Sequence, residues 1–194
     1  LLVMEIVFAT NNLNKLSEIR LLLPSTITLL SLKDINCVDN LPETGNTLYA
    51  NALEKSRYIF DKYGYNCFSD DTGLEIDYLD GRPGVYSARY AGMNCSAEDN
   101  IKKIFTEMKG ASNRNANFRT VIAFIMDNNE FLFEGSITGF ITDKKIGDKG
   151  FGYDPIFIPT GHDRTFGQMS KTEKSNISHR GKAVDKFLQF LHKQ

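Results

Sequence analysis

The sequence predicts an α/β fold in which a mixed central β-sheet is flanked by helices. Three observations carry that expectation. Short apolar runs bounded by polar turns alternate with segments whose apolar residues recur at helical spacing. Two long strand-like runs are separated only by Asp127, Asn128 and Asn129, which reads as an antiparallel hairpin. No repeat, low-complexity run or long linker interrupts the 194 residues, a length that suits one domain over 1–194.

The elements follow in order. "LLVMEIVFA" reads as a buried strand near 3–9, with Met4 as the expected true start and the three residues before it as extraneous. It is far shorter than a membrane span and lacks the basic start and cleavage site of a signal peptide. A helix follows, capped by Asn11 or Asn12, with Leu16, Ile19, Leu22 and Leu23 as its apolar face and Pro24 discouraging its continuation. After a short strand near 27–30, Thr47 caps a second helix with Leu48, Ala52, Ile59 and Tyr63 inward, stopped by Gly64.

Two short strands, near 66–69 and 74–78, are expected on either side of an Asp70-Asp71-Thr72-Gly73 turn. "SAEDNIKKIFTEMKG" carries a capping box, Ser96 with Asp99, and a core stripe of Ile101, Ile104, Phe105 and Met108 before Gly110. The hairpin of 116–141 comes next, and "GKAVDKFLQFLHK" closes the chain as an amphipathic helix.

Composition narrows the function. The net charge is −1, the hydrophobic share 41% and the charged share 24%, so no basic field points to a nucleic-acid polymer and nothing points to a membrane. Cys37, Cys67 and Cys95 are odd in number and widely spaced, which argues against disulfides and favours a reducing cytoplasm. His162, His179 and His192 lack zinc spacing, so any metal should be a hard cation held by oxygen.

Four polar segments sit at the edges of these elements. "ATNNLNK" runs a strand into a helix N-terminus, where backbone N–H groups, Thr10, Asn12 and Lys15 can meet a phosphate chain; a capped surface helix with a solvated lysine has the same pattern. In "PETGNT", Glu43 precedes a helix, a position that also suits its dipole. Asp70 and Asp71 repel one another unless a cation comes between them, or unless both serve turn chemistry.

The fourth region joins "GFGYDPIFIP" to "MSKTEKSNISHRGKA". Gly150 and Gly152 admit close approach, Phe151 and Tyr153 can stack or simply pack, and Asp154 can accept from a base. Lys174, His179 and Arg180 are donors for an anion or a purine oxygen. No Ser-His-Asp triad or activated cysteine is apparent. Phosphate donors, two acidic segments and an aromatic-plus-donor region together fit metal-assisted hydrolysis of a nucleotide phosphoanhydride.

The ordered set "ATNNLNKLSEI", "ETGNTLYANALEKS", "SDDTGLEIDYLDGRPGVYSARYAG", "GFGYDPIF" and "EKSNISHRGKA" resembles the inosine triphosphate pyrophosphatase family, nearly end to end. The resemblance implies two lobes with the active-site cleft between them and a homodimer. It implies Mg²⁺-dependent hydrolysis of deaminated purine triphosphates, ITP, dITP and XTP, to monophosphate and pyrophosphate, which cleanses the nucleotide pool.

Residue by residue, Thr10, Asn11, Asn12, Leu13, Asn14 and Lys15 match the phosphate-binding motif. Asn11 stands where the family commonly has Gly, a change that a left-handed turn tolerates. Glu43 and Asp71 match the metal ligands, and Asp71 also matches the group that activates or orients water; Asp70 helps by position. Thr72 keeps the hydroxyl of the usual Ser, and Lys55 is a further phosphate contact or a solvated helix lysine. Phe151, Gly152, Tyr153 and Asp154 match the base-recognition segment, with Lys174, His179 and Arg180 as its partners. A septum-formation-inhibitor-type pyrophosphatase and a non-catalytic nucleotide sensor are the competing readings. The "FGYDP" and "SHRGKA" segments count against the first, and the presence of Lys15, Glu43 and Asp71 against the second.

Overall fold

The computed structural model describes residues 4–193. Residues 1–3, on which the expectation of extraneous residues falls, lie outside that range, as does residue 194. Strands β1 (Met4–Phe8), β2 (Ile27–Leu30), β3 (Cys67–Ile76), β4 (Pro83–Gly84), β5 (Asn115–Met126), β6 (Asn129–Ile141) and β7 (Phe157–Pro159) form one mixed sheet. The path runs β2-β1-β3-β5-β6-β7, with β4 paired to β3. β1 is parallel to β2 and to β3, whereas β3–β4 and β6–β7 are antiparallel. Helices α1 (Leu13–Leu22), α2 (Leu48–Tyr63), α3 (Ala97–Glu107), α4 (Lys171–Ile177) and α5 (His179–Leu191) complete the described elements.

The chain divides into two compact units. The first comprises the chain up to Asp71, Thr120–Gly135 and the chain from Gly181; the second comprises Thr72–Arg119 and Ser136–Arg180. In the first unit the period of two along each strand is plain. Ile6, Phe8, Phe68, Ile122 and Phe124 join Leu16, Ile19, Val184 and Phe187 in one core cluster. Their strand neighbours Val7, Ala9, Cys67 and Ile125 join Ile59 and Leu32 in another. A sheet buried on both faces follows from the near-continuous apolar runs. Phe8 and Phe68 stack with centroids 4.6 Å apart across the parallel β1–β3 pair. The second unit has its own core, in which Leu74, Ile76, Ile101, Ile104, Phe118, Ile141, Phe157 and Phe166 are buried.

Helix ends follow the local signals. Asn12 caps α1, Thr47 caps α2, and Gly64 terminates α2 in the left-handed conformation, φ +72°. Ser96 and Asp99 form the capping box of α3. The hairpin turns on Asp127 and Asn128, both at positive φ (50° and 66°), as a tight turn between right-twisted strands requires.

Two expectations fail. The segment 67–76 is one uninterrupted strand, so Asp70 and Asp71 lie within β3 and not in a turn between two strands. Gly73 takes no part in a turn; it admits β4, since a Cβ there would lie 2.7 Å from the carbonyl oxygen of Gly84. The chain after Ser170 also forms α4 before α5, where only one final helix from Gly181 was expected. Its seven residues carry too little apolar periodicity to announce it.

Candidate active site

The first unit gathers the acidic and phosphate-type candidates. Because Asp70 and Asp71 are consecutive strand residues, their side chains leave opposite faces of the sheet. Asp70 meets Lys15 from the first turn of α1, with Nζ 2.9 Å from Oδ1. Asp71 meets α2, where the Asn51 amide nitrogen donates to Oδ2 at 3.2 Å and Lys55 Nζ lies 3.6 Å from Oδ1. Lys55 also donates to the Asp70 backbone carbonyl at 2.8 Å and to Glu43 Oε1 at 2.5 Å. Asn51 and Lys55, four residues apart, therefore present one helix face to the carboxylates.

Three carboxylates thus share two ammonium groups in a largely buried place. Burial opposes the charge on Lys55, yet Asp71, Glu43 and Asp70 together outweigh it and hold its pKa above the ordinary lysine value. Burial also pushes Asp71 upward, further than Lys55 and Lys15 pull it back. Carboxylates gathered this closely are the type of oxygen donor that a cation site uses.

The donor set suits a hard ion. Glu43 and Asp71 already converge on a positive group, the Lys55 ammonium. Among the described residues no cluster of three or more His, Cys, Asp or Glu could hold a metal alone. Two carboxylates, with further oxygens from water and phosphate, is the habit of Mg²⁺.

The phosphate-type segment is organised around its own cap. Asn12 Oδ1 accepts from the N–H groups of Asn14 (3.0 Å) and Lys15 (3.2 Å), and Thr10 Oγ1 accepts from Asn12 N–H at 3.1 Å. The side-chain oxygens of Thr10 and Asn12 therefore shape the strand-to-helix turn and occupy the N–H groups that the sequence offered to an anion. Leu13 is 78% exposed, and Asn11 and Asn14 are also exposed. Asn11 is not among the described residues with positive φ, so the turn does not use its tolerance for left-handed backbone.

The second unit gathers the base-type candidates. Asp154 is buried, and its Oδ2 accepts from Phe151 N–H at 2.8 Å and from Lys174 Nζ at 2.6 Å. Lys174 Nζ lies 4.7 Å and Arg180 Cζ 5.6 Å from the centroid of the Phe151 ring, so two cations lie within cation–π reach of one aromatic. Arg180 also donates to Thr72 Oγ1 at 3.2 Å. His179 stacks on Phe118 with centroids 4.6 Å apart and planes 15° from parallel. Gly150 and Gly152 both have positive φ. Tyr153 is buried, and its hydroxyl donates to the Ser87 carbonyl at 2.7 Å, so its polar tip is spent inside the fold.

Asn51 is a site residue that the sequence does not single out, because polar positions of an amphipathic helix read as solvated. The available signal was its place four residues before Lys55, on the same helix face.

A family model described as the Ham1 family matches residues 6–190. The chain belongs to the Ham1 family. It is 52% identical over 188 residues to a protein of Flavobacterium psychrophilum named dITP/XTP pyrophosphatase, a match covering 97% of this chain and 99% of that protein. A protein of Christiangramia forsetii with the same name is 51% identical over 190 residues, covering 98% of this chain and all of that one. Among solved structures, a HAM1 protein from Coxiella burnetii superposes with a TM-score of 0.90 at 36% identity, covering 98% of this chain and 100% of that one. The Staphylococcus aureus Ham1 protein gives 0.88 at 38% identity, covering 97% of this chain and 98% of that one. The Ham1 fold is therefore the mixed sheet with flanking helices described above. Among the described residues no helix is long and apolar enough to cross a membrane.

Proposed function

We propose that this chain is a pyrophosphatase of deaminated purine nucleoside triphosphates, ITP, dITP and XTP, releasing the monophosphate and pyrophosphate and so clearing these nucleotides from the pool. The observation that carries the reading is the cluster in which Glu43, Asp70 and Asp71 share Lys15 and Lys55. Its donor types are those a metal-bound triphosphate needs, and near full-length relatives bear the name dITP/XTP pyrophosphatase.

In this reading Glu43 and Asp71 hold Mg²⁺, which when bound neutralises phosphate charge and polarises the bond between the α and β phosphates. Asp71 orients the attacking water and stands ready to accept its proton. Asn51 fixes the rotation of the Asp71 carboxylate by holding Oδ2. Lys15 receives phosphate oxygens, with Asp70 steering its ammonium, and the segment Thr10–Lys15 shapes the strand-to-helix turn that receives the chain of phosphates. Lys55 balances the acidic cluster and is a second phosphate contact.

Base selection falls to Phe151, Gly152, Tyr153 and Asp154 with Lys174, His179 and Arg180, and Thr72 supports Arg180. Hypoxanthine and xanthine present a 6-oxo acceptor, whereas adenine presents an amino donor. Donors from Arg180 and His179 facing that position favour the oxo bases and oppose adenine, a costly mismatch once buried. A single functional domain over 1–194, a homodimer, a cytoplasmic setting and the absence of nucleic-acid or membrane partners complete the proposal. Family resemblance and the near-neutral charge support them.

The test is incubation of the purified protein with XTP, ITP, GTP and ATP, with and without Mg²⁺, resolving every phosphate product. The reading expects Mg²⁺-dependent monophosphate and pyrophosphate from XTP and ITP, with little from ATP. Orthophosphate and a diphosphate, or equal turnover of ATP, would reject it.

A further inference from the structure

We propose that Glu54 is a positioning residue that fixes the loop carrying Glu43, acting on cation binding through Glu43 alone; this rests on the reading of Glu43 as a cation ligand. Both oxygens of the Glu54 carboxylate are engaged by the residue next to Glu43. Thr44 N–H donates to Oε2 at 2.8 Å, and the Thr44 hydroxyl donates to Oε1 at 2.8 Å. The contact spans ten residues of chain and fastens the loop to the middle of α2. On the other side of Thr44, Gly45 is pressed against the start of the same helix. A Cβ at Gly45 would lie 2.5 Å from Ala50 Cβ and 2.9 Å from Asn51 Oδ1.

The loop is thus held at two successive residues, one by hydrogen bonds and one by close backbone approach. Glu43 itself is a third exposed and reaches from this fixed base to Lys55. A ligand carried on a loose loop must be ordered when the cation arrives. A ligand whose backbone is already fastened keeps that part of the binding energy.

The clamp makes a sharp chemical distinction. It needs one acceptor for an N–H and one partner for a hydroxyl, not a negative charge. Glutamine meets both needs: its carbonyl oxygen accepts from Thr44 N–H, and its amide donates to the Thr44 hydroxyl oxygen, which accepts equally well. Glu54→Gln therefore preserves the clamp, whereas Glu54→Ala removes it.

The experiment titrates Mn²⁺ into the full chain and reads bound Mn²⁺ by water proton relaxation, with the melting temperature and XTP hydrolysis of each variant recorded in parallel. Glu54→Ala is expected to weaken Mn²⁺ binding about fivefold to tenfold, and Glu54→Gln to stay within about twofold of the wild type. In a Glu43→Gln background, Glu54→Ala should change the affinity by less than about twofold, because the residue it positions is already disabled.

Wild-type affinity in Glu54→Ala would overturn the proposal. So would Glu54→Gln binding as weakly as Glu54→Ala, which would mean that the charge acts directly. A full additional loss in the Glu43→Gln background would overturn it too. Wild-type protein that binds Mn²⁺ but hydrolyses no XTP would reject the pyrophosphatase reading while the Mn²⁺ series still decides the clamp. Wild-type protein that binds no Mn²⁺ rejects both.

Discussion

Lys15 and Asp70 form an ion pair, Nζ to Oδ1 2.9 Å, in which the carboxylate side chain is fully buried and the lysine 14% exposed. The lysine proposed to meet phosphate therefore also neutralises a buried charge, and its removal is expected to have two consequences. Lys15→Ala should cost about 3 kcal/mol of stability by stranding Asp70, in addition to raising KM for the triphosphate. Lys15→Ala combined with Asp70→Asn should recover most of the stability and none of the KM. Urea denaturation and steady-state kinetics on both variants separate the two effects.

Asp71→Asn should leave the fold intact and remove turnover. The substituted amide oxygen can still accept from Asn51, and burial already disfavours the charge at this position. The melting temperature should move by only a few degrees, while kcat falls by about 10²–10⁴-fold or more. Wild-type kcat in this variant would remove Asp71 from the mechanism.

Arg180 is 2% exposed and lies over Phe151, so truncation to alanine would leave a cavity as well as remove a donor. Arg180→Met keeps most of the stem. It should lower the ITP-over-ATP ratio of kcat/KM by about tenfold or more if, as proposed, Arg180 is a donor opposite O6. An unchanged ratio would place base selection elsewhere.

Gly150→Ala tests the support of the second set of residues. Gly150 has φ +74°, and a Cβ there would lie 2.0 Å from Asp154 Oδ2. The substitution should cost more than about 1 kcal/mol and dislodge the carboxylate that Lys174 and Phe151 N–H share. Thermal unfolding measures the first effect, and the KM for ITP the second.

Acid sensitivity has a local source in α4. Glu173 accepts from Ser170 N–H at 2.7 Å and from Arg164 at 2.9 Å, and these bonds hold its carboxyl down at about 2. A depressed carboxyl contributes stability that is present above its unfolded value and lost as pH falls through its folded one. The stability of the wild type should therefore decline between about pH 4.5 and about 2 partly through this group, and Glu173→Gln should flatten that decline. Melting temperatures measured across that range decide it.

What was legible in the sequence was what short-range chemistry decides. Thr47 and Gly64 bound α2, and Ser96 with Asp99 starts α3, because caps satisfy backbone groups within a few residues. The Asp70–Gly73 segment misled because its composition is that of a turn, while it lies inside a strand whose flanking residues pair with β1 and β4 and whose other neighbour is β5. Lys55 could be named but not placed: a helix lysine is solvated unless tertiary structure buries it, and here it is buried against Glu43, Asp71 and the Asp70 carbonyl. Ser170 and Glu173 spelled the capping box of α4, a signal that outweighed the poor apolar pattern and was available all along.

In the proposed reading, the convergence of Glu43 and Asp71 on Lys55 bears on which form of nucleotide is admitted. A bare triphosphate would bring its negative charge against these two carboxylates, whereas the same nucleotide escorted by a divalent ion would set a positive charge between them. The protein is then a reader of the complex, and uncomplexed nucleotide in excess should act as a scavenger of its cation more than as a rival for its site. Activity should accordingly track the concentration of the metal-bound nucleotide, not that of total nucleotide.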